Sequence, residues 1–78
     1  MSVKLHGKIV TLVKIIDNKE VCMESGHFSL VGLNLPAWCG SVSSGTGWRT
    51  SLVKEILQDD ENVCRFKTMN NLYEARKI

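Results

Sequence analysis

The sequence has little of what would name a task at sight. Its three cysteines, Cys22, Cys39 and Cys64, are odd in number and none stands in a Cys-x-x-Cys spacing. That excludes a paired thiolate motif and argues against a secreted disulfide framework; reduced thiols are the expectation. His6 and His27 add no ligand spacing, and a structural zinc site needs four ligands, so neither metal nor cofactor is expected. No apolar run approaches the ~20 residues that cross a bilayer, and the start of the chain lacks a basic segment followed by an apolar signal core. The expectation is a cytoplasmic protein with no membrane partner. Ten basic against eight acidic residues give a formal charge of +2, too small for the total alone to point to a polyanion. Repeats, linkers and low-complexity tracts are lacking too, so residues 1–78 read as a single small β domain.

What is present is ordinary globular material, 44% apolar and 23% charged. A chain this short buries only about 60% of the surface it exposes when unfolded, so its core is small and a partner subunit would extend it. From Val3 to Ile16 the β-branched and aliphatic residues suit a pleated surface, which predicts a long first strand bent at Gly7. Side chains alternate along a strand. Odd positions Leu5, Ile9, Val13 and Ile15 are expected to face the core, with Lys4, His6, Lys8 and Lys14 opposite. Val10, Leu12 and Ile16 are then left as apolar residues on the second face. Asp17 to Glu20 is a turn by composition, Val21 to Glu24 a second strand, and Ser25-Gly26 its end.

Between His27 and Gly47 the periodicity breaks down. Gly32 and Pro36 limit any regular element there, and Ala37 to Trp48 reads as a small-residue loop bracketed by two tryptophans. Such loops often carry function. Gly40 to Thr46 shares the Gly-x-x-x-x-Gly opening of a phosphate-binding loop, but the lysine is missing and no helix is expected to follow; a flexible loop is the better reading. Cys39 in such a loop would have a reachable thiol. Cys39 or Ser43 with His27 as base is an imaginable nucleophile pair, yet no motif fixes it, and a catalytic role is not expected.

From Trp48 onward an apolar/polar alternation is cut by Gln58–Asn62 and by Asn70–Asn71, which predicts a three-stranded meander with Val53, Phe66 and Tyr73 inside. Residues 51–58 are ambiguous, because Leu52, Val53, Ile56 and Leu57 also fit helical spacing and Ser51 could cap it. Asp59, Asp60 and Glu61 would lie against that helix's negative C-terminal end, which favours the strand; the alternative is an α+β fold.

The pattern Thr50-Ser51-x-Val53-x-x-Ile56, then Val63-x-x-Phe66-x-Thr68-x-Asn70-x-x-Tyr73, resembles the C-terminal half of small SH3-like β-barrel proteins, many of them uncharacterised and encoded by phages and mobile elements such as integron cassettes. The resemblance covers about a third of the chain and carries no catalytic residue. It implies a mainly β, SH3-like barrel of about five antiparallel strands, here with a long Gly/Ser/Trp loop.

Two surfaces follow. Trp38, Trp48 and Arg49 around the loop form a candidate partner-binding or dimer surface, since tryptophan and arginine are enriched among residues that dominate interface energies. Lys4, Lys8, Arg65 and Lys67 form a candidate nucleic-acid face, although basic residues on strands also keep sheet edges apart. The expected role is a non-enzymatic macromolecule-binding module, protein binding or self-association being favoured over nucleic acid, with no small-molecule substrate identified.

Overall fold

A computed structural model describes residues 2–78. Its six strands are β1 (Ile9–Ile16), β2 (Lys19–Ser29), β3 (Pro36–Ser41), β4 (Thr46–Asp59), β5 (Val63–Thr68) and β6 (Leu72–Lys77). Each pairs antiparallel with the next, and β6 returns to β1 to close the barrel. The expected mainly β class and the β4–β5–β6 meander hold, but there are six strands, not about five. The additional strand is β3, inside the segment expected to be a long loop. Residues 51–58 are extended within β4, so the helical alternative falls; pairing with β5 satisfies their backbone groups across the ladder.

The turns follow their side chains. Asp17 and Asn18 have φ of 51° and 63°, the positive pair that a two-residue hairpin of matching twist requires. Asp60 Oδ1 accepts from the Asn62 and Val63 amides, each at 2.8 Å, closing the β4–β5 connection as an aspartate-centred turn. At Asn70–Asn71 the Thr68 amide donates to Asn71 O at 2.9 Å.

Phe66 is the middle of the core, its ring 5.4 Å from Tyr73 and 6.0 Å from Phe28 between centroids. Around the rings lie Val10, Leu12, Leu30, Ala37, Cys39, Val53, Cys64 and Ala75, with Val3 and Leu5 closing one end. Val53, Phe66 and Tyr73 face inward as expected. The first strand does not follow the expected parity: Val10 and Leu12 are inside, while Ile9 is 43% exposed. Residues 4–7 are turns, not strand, and Gly7 has φ of +81°, so the alternation that buries Val3 and Leu5 restarts out of phase at Ile9.

Val13 is buried for another reason. It pairs with Glu74 on one side and Cys22 on the other, which puts it on the outer face. There Glu74 receives Arg65 Nε at 2.9 Å and Arg76 Nε at 3.0 Å, and Arg76 also pairs with Glu20. This chain of alternating charges ties β5, β6 and β2 together over the β1 backbone. Burial raises the Glu74 carboxyl, but the two guanidinium groups outweigh it and hold the pKa below the ordinary value. Glu20 is likewise lowered by its hydrogen bond to Arg76. A depressed folded-state pKa stabilises above the unfolded value and loses that contribution as pH falls through the folded one. The urea midpoint is therefore expected to drop as pH falls below about 4.3, the unperturbed glutamate value, and less steeply in Glu74→Gln. Parallel pH dependences in the two proteins would remove Glu74 from the acid-sensitive set.

Candidate functional site

The β3–β4 hairpin is built on a seam of three glycines. Gly26 in β2, Gly40 in β3 and Gly47 in β4 lie side by side, with Gly40 paired to Gly47 and next to the Gly26–His27 step. A Cβ on Gly26 would stand 2.4 Å from Gly40 O, and one on Gly40 would stand 2.2 Å from Thr46 O. Strand backbones this close leave no room for side chains. The Gly/Ser/Trp segment is thus a tight hairpin, not a long loop: Ala37–Ser41 lie in β3, Thr46 onward in β4, and Val42–Gly45 make the turn. Gly45, with φ of +72°, serves that turn, and the phosphate-loop likeness dissolves because a strand follows.

The hairpin sorts the predicted site residues. Trp38 pairs with Arg49, and Cys39 with Trp48; paired residues share a face, so the structure brings Trp38 and Arg49 together and sets Trp48 on the opposite side. Gly47 makes room for the Trp38 indole: a Cβ there would lie 2.8 Å from Trp38 Cζ2. Trp38 is half-buried, while Trp48 is 37% exposed. A ladder irregularity follows between Pro36 and Trp38. There Thr50 Oγ1 accepts from the Ala37 amide at 3.0 Å and donates to Ser51 O at 2.7 Å, so the buried amide stays satisfied.

Past that irregularity the outer face turns apolar. Leu52 pairs with Pro36, and the Val53–Thr68 pairing makes Met69 its neighbour on the other side. Leu52 is 45% and Met69 75% exposed. With Ser51 and Lys54 they line a shallow groove of about 230 Å³. The segment before β3 runs alongside, the Asn34 amide donating to Val53 O and the Val53 amide to Leu35 O at 2.8 and 2.9 Å, which brings the exposed Leu33 and Leu35 to the same region. Lys54 Nζ donates to Asn34 Oδ1 at 3.3 Å. Alternation along β4 could not reveal this extension, because irregularities in the ladders on both sides of β4 break its period.

Cys39 is no reachable thiol. It is wholly buried, its Sγ 3.7 Å from Gly26 O and 3.9 Å from both Val10 O and Glu24 O. Desolvation, with the nearby Glu24 charge, pushes its pKa up to about 11, which suppresses the nucleophilic thiolate. His27 pairs with Gly40, one residue out of step with the Phe28–Cys39 pair, so imidazole and thiol fall on opposite faces and form no dyad. Ser43 Oγ shares a hydrogen bond with Ser41 Oγ at 3.1 Å. Cys64 is buried as well, its pKa raised to about 12 by desolvation, and Cys22 is exposed.

The four residues of the nucleic-acid alternative divide into two pairs with different surroundings. Arg65 is held by Glu74, and Lys67 lies opposite Glu55 in the β4–β5 ladder. Lys4 and Lys8 instead line a second cleft with Leu5, Glu61 and Lys77. Among the described residues no group of three or more histidine, cysteine, aspartate or glutamate side chains is placed to hold a metal ion, and no helix is long and apolar enough to cross a membrane. Comparison with protein-family models, with curated proteins and with solved structures finds no match to this chain.

Proposed function

We propose that this chain is a non-enzymatic protein-binding or self-associating module, an SH3-like kind of small barrel that binds through the outer face of β3 and β4. The observation that carries the reading is the continuity of Trp38, Pro36, Leu52 and Met69 across neighbouring strands, with Arg49 beside the indole. A half-buried tryptophan anchored over a glycine, next to exposed aliphatic side chains and a cation, has the composition of an interface centre. The meander order, with the first strand closed against the last, is what supports the barrel kinship. Trp48, on the other side of the hairpin, lies outside this face.

The test is molecular mass in solution over a wide concentration range for the wild type, Leu52→Glu and Met69→Glu. Both side chains are exposed, so the substitutions are expected to change folding stability by only about 0.5 kcal/mol. Association with a second copy is expected to weaken about tenfold or more in each, as for a residue central to an interface. A wild type that stays monomeric throughout excludes self-association. Binding of a protein partner that is indifferent to both substitutions would end the reading altogether.

A further inference from the structure

We propose that the cleft between the N-terminal turns, the β4–β5 connection and the end of β6 is a binding site for a small phosphomonoester, with Lys4, Lys8 and Lys77 as its phosphate-holding groups. The cleft has a volume of about 450 Å³ and is lined by these lysines, Leu5 and Glu61. That size lies within the roughly 300–1,000 Å³ of small-ligand sites.

Three lysines from two separate parts of the chain line it, and among the described residues none of them makes an ion pair. Arg65 and Arg76, by contrast, are engaged by Glu74 and Glu20. Two neighbouring carboxylates are engaged in hydrogen bonds: Asp59 Oδ1 accepts the Lys4 amide at 2.8 Å, and Asp60 accepts from Gln58, Asn62 and Val63, with the Lys4 charge the smallest of the influences on it. Neither lines the cleft.

The backbone that carries the lysines is fixed, while among the described residues their side chains take part in no ion pair. The Lys8 amide donates to Leu5 O and the Lys77 amide to Asn62 O, each at 2.9 Å. Leu5 is only 1% exposed, which anchors the cleft wall to the core. A dianionic phosphate gives each ammonium an acceptor oxygen, and Glu61 offers an acceptor to a hydroxyl on the esterified part. Nucleic acid fits less well, because a strand needs a basic track along its backbone and Arg65 of β5 is already held by Glu74.

The measurement is a titration of the folded protein followed by backbone amide NMR shifts, with adenosine monophosphate, glycerol phosphate and sodium chloride at matched ionic strength. Saturable shifts at Lys4, Leu5, Lys8, Glu61 and Lys77 are expected with both esters and not with chloride. Lys8→Gln and Lys77→Gln are each expected to weaken binding about two- to fivefold, the range of a partly solvated ion pair, and Lys19→Gln, at the far end of the β1–β2 ladder, to leave it unchanged. Shifts that do not saturate, or that chloride reproduces, overturn the proposal. So does a single-stranded oligonucleotide that binds more tightly than either ester and shifts β5 as well. The cleft shares no residue with the β3–β4 face, so each reading stands or falls by itself.

Discussion

Phe66→Ala is expected to cost about 3–5 kcal/mol, the range for removing a fully buried aromatic side chain, and so to remove a large share of the folding stability. A domain holds about 0.05–0.15 kcal/mol per residue, so a chain of this length has about 4–12 kcal/mol in all. Phe66 is wholly buried and touches both other core rings; its loss leaves a cavity between Phe28 and Tyr73 that closed strands cannot collapse to fill. Phe66→Leu keeps most of the volume and is expected to cost under about 1.5 kcal/mol. Urea unfolding followed by tryptophan fluorescence measures both. A loss below about 1.5 kcal/mol in the alanine variant would mean that the rings do not share one core.

Gly40→Ala is expected to be comparably severe although it adds a single methyl group. That carbon would sit 2.2 Å from Thr46 O, 2.5 Å from Gly47 Cα and 3.0 Å from Thr46 C, all of them backbone. No side chain can move aside, so β3 and β4 must part. Overpacking ordinarily costs about 1–3 kcal/mol, and a clash with fixed backbone is expected at or above the top of that range. Gly45→Ala is the control, since its added carbon meets nothing within 4 Å and only its φ of +72° is strained; about 1 kcal/mol is expected. Gly40→Ala should also loosen the Trp38–Arg49 pairing, so in a folded remnant the association proposed for this face is expected to weaken. Equal unfolding midpoints for the two alanine variants would show that the seam is not tight.

The glycine seam marks a limit of what sequence reading reaches. Gly26 reads as a strand end, because a glycine after Ser25 stops β propensity whether or not the chain runs on. In fact β2 continues to Ser29, and the residue that looks like a terminator is what lets β3 come close. The same misreading turned β3 into a loop. Proline, alanine and glycine are poor local strand formers, and only neighbours on both sides make Pro36–Ser41 a strand. The phase of β1 was lost at Gly7 for a related reason: alternation predicts a face only while the backbone stays extended.

Local chemistry was enough where it repeated without interruption. The β5 alternation around Phe66 fixed which residues face inward, the aspartate and asparagine clusters fixed three turns, and odd, unpaired cysteines pointed to free thiols. By contrast, the candidate face could not be read from residue order. Trp38 and Arg49 share it because a ladder pairs them, Trp48 leaves it because strands alternate, and Leu52 and Met69 join it through irregular pairings. Lys77 likewise reaches Lys4 and Lys8 only because the last strand closes against the first. Sequence by itself determined the β class, the turns and two of the three rings of the core, since those depend on neighbours along the chain. The strand count, the faces and both candidate sites were decided by the tertiary structure, because barrel closure and strand register bring together residues that no local preference connects.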